Sequence, residues 1–235
     1  MPIELSIVIP TYNERGNVQP LLEKIEDALK GIGWEAIFVD DDSPDGTSEV
    51  IRQISENDTR VHCLHRIGRR GLSSACIEGM LSSSAPYLAV MDADLQHDAN
   101  LLIKMLNVLR NEDLDMVVGS RYVEGGTLGQ WSTDRIMMSR LATRLSHVII
   151  KADLKDPMSG YFMLKRPFFD LVVRHLSGRG FKILLDIFAS SKDVVRFKEL
   201  PFEFGKRFSG TSKLNYSVLY EHARLIIDKL LAKYF

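Results

Sequence analysis

Asp92, Asp94 and Gln96 stand two residues apart at the end of a short apolar run, in the segment Tyr87-Leu88-Ala89-Val90-Met91-Asp92-Ala93-Asp94-Leu95-Gln96-His97. If the chain stays extended past the strand this run predicts, Tyr87–Asp92, side chains two apart share a face. Three oxygen-bearing groups then aim at one point. Oxygen donors of that kind suit a hard divalent cation, Mg²⁺ or Mn²⁺, which commonly bridges to phosphate oxygens. The spacing alone decides nothing, because Asp-x-Asp occurs three times, at Asp40/Asp42, Asp92/Asp94 and Asp113/Asp115. The third copy falls between an amphipathic helix and a strand, where a solvated turn is the ordinary reading. The second ends a buried strand, which is where open α/β sheets bind ligands.

Other strand ends carry further candidates. The run Ile7-Val8-Ile9-Pro10-Thr11-Tyr12-Asn13-Glu14 closes on an aromatic and a carboxylate. Tyr12 can stack on a base and Glu14 can accept hydrogen bonds from a base edge; the plain alternative is a strand end with Asn13 as a helix cap. Next comes Asp40-Asp41-Asp42-Ser43-Pro44-Asp45-Gly46-Thr47, four carboxylates too close together to be cheap unless some bind a ligand or cap a helix. Asp45 or Thr47 fits a cap, and Asp41 can meet a base N–H. Neither a Gly-x-Gly-x-x-Gly after the first strand nor a Walker lysine loop is present, which removes the main support for dinucleotide and P-loop readings. His65, His97 and His147 read as structural histidines, and Trp34 and Trp131 as packing residues.

The elements that must hold these residues alternate. Strands are expected at Leu5–Pro10, Ala36–Asp40, Val61–His65, Tyr87–Asp92 and Met116–Ser120, with helices at Val18–Lys30, Thr47–Ser55, Leu72–Ser83 and Asn100–Asn111. Such βα alternation implies a mostly parallel sheet covered by helices. Past residue 121 the alternation loosens, and ordered structure resumes over Pro157–Leu164, Phe181–Ser190 and Val194–Phe204.

With 235 residues, 45% apolar and 26% charged, the chain has the composition of an ordinary globular protein able to bury a good core. A net charge of −1 gives no basic field to attract nucleic acid. Cys63 and Cys76 supply no disulfide framework and fit a reducing compartment. No signal peptide is apparent in Met1-Pro2-Ile3-Glu4, and no apolar run approaches the ~18 residues of a membrane span. Two amphipathic segments stand out, Ile136 to Ile150 with Arg135, Arg140, Arg144 and Lys151 around it, and Tyr216 to Phe235. Core packing is the default for the second; for both, a helix lying on a membrane surface is the alternative.

Taken in order, the blocks resemble the family 2 glycosyltransferases of GT-A fold, and more narrowly the dolichyl-phosphate or polyprenyl-phosphate mannose synthases. The blocks are Pro10–Glu14, Val39–Thr47, Met91–His97, Gly119–Tyr122, Gly71–Ala75, Asp156–Phe162, Gly180–Leu185, Pro201–Arg207 and Ser212–Leu214. The resemblance covers about residues 3 to 215. It implies a catalytic domain over 1–215, divided into a nucleotide-sugar half (1–121) and an acceptor half (122–215), with an amphipathic C-terminal helix over 216–235. It further implies that Pro10, Tyr12, Glu14 and Asp41 line the nucleoside pocket. Asp92, Asp94 and Gln96 would hold Mg²⁺ or Mn²⁺ and the donor diphosphate. Arg121, Arg135, Ser139, Arg207 and Lys213 would surround the acceptor phosphate and the sugar, with Asp92, Asp94, Arg121, Arg135 and Arg207 as the catalytic set. Two departures occur: Asp98-Ala99-Asn100 stands where the family often has Pro-Pro-Glu, and Gly210-Thr211-Ser212 where it usually has Gly-Glu-Ser.

The implied activity is inverting transfer of a hexose, mannose from GDP-mannose, onto a polyprenyl or dolichyl phosphate at the cytoplasmic face of a membrane. A lipid phosphate with a second pKa of ~6 is largely ionised at neutral pH and needs little help from a general base. The site must instead hold one anion beside another, a task arginines perform better than lysines. Alternatives are a UDP-glucose-dependent enzyme, a family 2 transferase with another acceptor, and a nucleotide-sugar-binding protein without turnover. Members of the family often continue into transmembrane helices.

Overall fold

The computed structural model describes residues 1–127, 143, 146, 149, 150 and 152–205. Its strands are β1 (Leu5–Thr11), β2 (Trp34–Asp40), β3 (Val61–His65), β4 (Tyr87–Val90), β5 (Met116–Ser120), β6 (Phe162–Lys165) and β7 (Phe197–Pro201). Its helices are α1 (Val18–Ala28), α2 (Thr47–Ser55), α3 (Leu72–Ser82), α4 (Asn100–Asn111), α5 (Arg166–Val172) and α6 (Ile183–Ser190). The strands form one seven-stranded sheet in the order β3-β2-β1-β4-β6-β5-β7.

β1 shows why the sheet is central. Its residues alternate between two cores: Ile7 and Ile9 join Leu21, Ile25, Phe38, Leu102 and Met105 on the face covered by α1, α2 and α4. Val8 joins Val39, Ala75, Met80, Phe162, Phe169 and Phe188 on the face covered by α3, α5 and α6. A strand buried on both sides reads as a continuous apolar run, as β1 does. α1 buries Val18, Leu21, Leu22 and Ile25, a spacing that puts four apolar side chains on one helical face.

Pairing is parallel for β1–β2, β2–β3, β1–β4 and β5–β7, and antiparallel where β6 inserts between β4 and β5. The sheet is therefore mostly parallel, and strands from both sides of residue 121 share it. Chain order runs outward from β1 to β3 and then returns to β4 on the other side of β1. The gap between the C-terminal ends of β1 and β4 is thus the switch point at which such sheets bind ligands.

Several element ends shift by one or two residues from the sequence expectation, and two differences bear on the site. β4 stops at Val90 rather than Asp92. α5, absent from the sequence reading, begins directly after β6 with Pro167 in its first turn, where a missing N–H costs nothing. The amphipathic segments Ile136 to Ile150, four isolated positions apart, and Tyr216 to Phe235 lie outside the described residues. Among those described, no helix is long and apolar enough to cross a membrane.

Candidate active site

The chain turns out of the sheet with unusual backbone at three adjacent strand ends. Asn13, Asp42 and Leu95 are the non-glycine residues with positive φ among the described residues, at 59°, 58° and 64°. They follow β1, β2 and β4 respectively. Left-handed backbone at non-glycine positions costs free energy and clusters at functional sites. Here it marks the C-terminal edge beside the switch point.

After β4 the chain is not extended, so simple two-residue alternation does not align Asp92, Asp94 and Gln96. The chain bends there instead, with Leu95 in the left-handed region and the Gln96 N–H donating to Asp94 Oδ1 at 3.2 Å. The Gln96 side-chain nitrogen donates to the Gly205 carbonyl at 2.9 Å, and the Gly205 N–H returns a bond to the Gln96 carbonyl at 2.9 Å. Asp94 is buried, while the Asp92 side chain is 40% exposed. A Cβ at Gly160 would come within 3.3 Å of both Asp92 carboxylate oxygens, so a bare glycine leaves that carboxylate its room. Two carboxylates and an amide oxygen form a donor set that fits Mg²⁺ or Mn²⁺, which take one or two carboxylates and complete their shell with water and substrate phosphates. Among the described residues no three His, Cys, Asp or Glu side chains gather into a closed metal cage.

His97 braces this bend. It is buried, and its ring stacks on Tyr161 with centroids 4.7 Å apart while Phe202 meets it edge-on at 5.4 Å. Burial lowers its pKa to about 4, so the imidazole is neutral and Nδ1 can accept the Asp92 N–H at 3.1 Å. The Tyr161 hydroxyl donates to the Asp98 carbonyl at 2.8 Å, tying the far end of the same loop. The structural reading of His97 holds.

The carboxylates after β2 divide into two jobs. Asp40 accepts from Ser43 N–H at 3.0 Å and Ser43 Oγ at 2.5 Å, closing its own turn. Asp45 accepts from Thr47 N–H at 3.0 Å and so serves the start of α2, with Gly46 at φ 84° between them. Asp41 and Asp42 instead hold the segment that leaves β3. Asp41 Oδ2 accepts the Gly71 N–H at 2.7 Å, and Oδ1, which accepts no hydrogen bond, lies 3.1 Å from Arg66 Nη1. Burial raises the Asp41 pKa, opposed by the Gly71 hydrogen bond and by Arg66. Asp42 takes the Gly68 N–H at 3.1 Å and His65 Nε2 at 3.2 Å. Residues 66–71 thus form a strap pinned on two carboxylates at the edge of the sheet.

Beside β1, Tyr12 is half-buried with the Arg70 guanidinium 4.3 Å over its ring. Glu14 accepts from the Asn17 side chain at 2.6 Å, and its N–H donates to Thr47 Oγ1 at 3.0 Å. Asn13 is no helix cap: its left-handed backbone makes the turn, its N–H donates to Ser43 Oγ at 2.9 Å, and Asn17 stands at the start of α1. Pro10 remains within β1, registered against Val39.

Arg121 follows β5 but is not a solvent-facing arginine. Its Nε and Nη2 each donate to Asp156 at 2.7 Å, and its backbone N–H adds a third bond at 3.1 Å. Both partners are buried. An anion approaching Arg121 therefore meets a guanidinium already forked onto a carboxylate. Near it, Lys182 has its pKa lowered to about 8 by burial and by Arg121, against Asp156 and Asp92. Asp156, Arg66 and Lys182 were not singled out in the sequence; the block spacing around Asp156 and Lys182 was the available signal, and for Arg66 there was none. The third Asp-x-Asp is no free turn either, since both Asp113 and Asp115 clasp Arg196.

Pro10, Tyr12, Glu14, Asp41, Asp92, Asp94, Gln96 and Arg121 thus occupy one edge of the sheet. Arg135, Ser139, Arg207 and Lys213, with Trp131 and His147, lie outside the described residues. Cys63 and Cys76 are both free thiols, Cys76 buried in the core.

The model of glycosyl transferase family 2 matches residues 6–172. This chain belongs to that family. The family 2 glycosyltransferase is 38% identical to a dolichol-phosphate mannosyltransferase of Pyrococcus furiosus, over 95% of this chain but 63% of that protein's length. It is 33% identical to the dolichol-phosphate mannosyltransferase of Saccharomyces cerevisiae, over 100% of this chain and 90% of the relative. A polyprenol monophosphomannose synthase of Mycolicibacterium smegmatis is 29% identical over 92% of the chain and 82% of its own length. Among solved structures, glucosyl-3-phosphoglycerate synthase from Mycobacterium tuberculosis, in complex with Mn²⁺, UDP and its product, superposes with a TM-score of 0.66 at 17% identity. That match covers 98% of this chain and 80% of the other, and it shows the GT-A fold.

Proposed function

We propose that this enzyme transfers mannose from GDP-mannose to a polyprenyl or dolichyl phosphate, with inversion at the sugar carbon, as a peripheral protein on the cytoplasmic face of a membrane. The reading is carried by one juxtaposition: the Asp92–Gln96 bend after β4 lies at the same edge of the sheet as the ends of β1 and β2, which carry Tyr12, Glu14 and Asp41, in a chain akin over its full length to the yeast mannosyltransferase. Residues 1–121 then serve the nucleotide sugar and 122–215 the acceptor, with 216–235 as an amphipathic helix.

Asp94, Asp92 and Gln96 are the residues that would hold Mg²⁺ or Mn²⁺, whose charge offsets that of the departing diphosphate. Tyr12 offers the base a flat apolar surface, and Asp41 and Glu14 offer it acceptors. On the other side, the acceptor phosphate supplies its own negative oxygen as nucleophile, so no protein base is needed. What the chain must supply is cationic surface holding that phosphate close to a second anion. Arg135, Arg207 and Lys213, with Ser139 as a hydroxyl donor, are the residues for this, together with Arg121 directly after β5. Charge-assisted hydrogen bonds of this kind are about twice as strong as neutral ones.

Transfer of radiolabelled mannose from GDP-mannose to polyprenyl phosphate in detergent tests the reading. Activity should vanish with EDTA, return with Mn²⁺ or Mg²⁺, and fall by about two orders of magnitude or more in Asp94→Ala, the scale of losing charge stabilisation of a transition state. Unchanged transfer by Asp94→Ala removes the metal role, and turnover with UDP-glucose alone removes the mannose assignment.

A further inference from the structure

The strap over residues 66–71 contains two neighbouring exposed arginines with different fates. Arg69 pairs with Glu78 along α3. Arg70 has no carboxylate within ion-pair distance among the described residues; its guanidinium lies 4.3 Å over the Tyr12 ring instead. Three anchors fix the backbone that presents it: Gly68 N–H to Asp42, Gly71 N–H to Asp41, and the buried Arg66, whose Nη1 donates to the Gly71 carbonyl at 3.1 Å. Gly68 and Gly71 both have positive φ, at 67° and 147°, a conformation that side chains rarely tolerate, so the strap is shaped at both ends of Arg70. An exposed arginine held this way has its position set by the fold rather than by a salt bridge.

We propose that Arg70 is the residue that reads the donor base, selecting guanine over uracil. This rests on the nucleoside-pocket role given above to Tyr12 and Asp41. A guanidinium resting on one face of the Tyr12 ring leaves the other face to a stacked base and holds its N–H fork at the rim of the same pocket. Guanine alone among the common bases offers two adjacent acceptors, O6 and N7, on one edge, the pattern that arginine grips with two hydrogen bonds. Its other edge carries N–H donors, which Asp41, one residue beyond Arg70 through the Gly71 contact, is placed to accept. Uracil has no such acceptor pair, because an N–H separates its carbonyls. Lysine would keep the charge and lose the fork.

Calorimetric titration of the whole chain with GDP and with UDP, in the presence of Mn²⁺, tests this in wild type, Arg70→Ala and Arg70→Lys. Both variants should bind GDP about tenfold more weakly, within the range for losing one bidentate arginine–guanine contact, while UDP affinity changes less than about twofold. Parallel loss for both nucleotides would mean that Arg70 serves the diphosphate or the strap, and overturns the proposal. Full GDP affinity in either variant overturns it as well. Should the wild type prefer UDP, the donor assignment fails and takes this inference with it. A wild-type GDP preference that persists in both variants sinks the inference alone. Circular dichroism of the variants, expected to match wild type because Arg70 is exposed, separates these outcomes from misfolding.

Discussion

Lys182 is a cation set partly out of water and next to another cation, Arg121, and its pKa falls to about 8 from an ordinary 10.5. The unfolded chain therefore holds that proton more tightly than the folded one, so the residue subtracts stability at neutral pH. The deficit shrinks as pH climbs from about 8 toward the ordinary lysine value. Lys182→Met should accordingly be more stable than wild type to urea at pH 7, with the difference closing by about pH 10. A variant less stable at pH 7 would show that Lys182 is held by contacts stronger than its desolvation. Asp156 poses the opposite case. It is the buried partner of Arg121, and removing one member of such a pair strands the other charge. Asp156→Asn should lose about 3–5 kcal/mol in urea unfolding, the range for breaking a buried ion pair. If Arg121 were held chiefly by a bound phosphate, phosphate-free stability would hardly move.

At the scale of elements, α3 shows how closely a helix is seated over the switch region. A Cβ at Gly79 would collide with Val8 Cγ1 in the middle of β1 and come 2.9 Å from Val39 Cγ2 near the end of β2. In a free helix Gly→Ala gains about 1 kcal/mol, but overpacking a core costs about 1–3 kcal/mol. Gly79→Ala should therefore lower the urea midpoint rather than raise it, and a rise would mean that α3 can shift outward without penalty. Apolar periodicity made such elements legible: α2, α4, β3 and β5 fall where the pattern of burial puts them. The site was less so. Asp92, Asp94 and Gln96 were found through an alternation that stops at Val90, and the arrangement comes from a left-handed Leu95 that no local sequence rule for leucine anticipates. Arg66, Asp156 and His97 are fixed in part by partners 25 or more residues away (Asp41, Arg121 and Tyr161) and by burial, and neither leaves a local pattern in the chain.

For the molecule as a whole, the antiparallel β6 was the part of the sheet least open to sequence reading. Periodicity tells which face of a strand is buried, and says nothing of which strand lies beside it. That insertion matters because β6 brings the Asp156–Tyr161 segment beside the C-terminal end of β4, so strands from both sides of residue 121 share one sheet. The proposed membrane attachment belongs to this scale too. With a net charge of −1, attraction to an anionic surface has to come from a local basic segment. Arg140 and Arg144 flank the apolar positions of Ile136 to Ile150 and are assigned to neither substrate. Each basic residue near an anionic leaflet contributes about 1 kcal/mol. The charge reversals Arg140→Glu and Arg144→Glu together should then weaken co-sedimentation of the full chain with phosphatidylserine-containing vesicles by about tenfold or more. Binding to neutral vesicles should change far less, and wild-type binding to the anionic ones should fall as salt is raised. Mannose transfer to a short, water-soluble prenyl phosphate should persist in the double variant, since that acceptor needs the site and not the surface. Equal loss on neutral and anionic vesicles would leave the apolar face as the anchor, and loss of transfer to the soluble acceptor would move these arginines into the acceptor site itself.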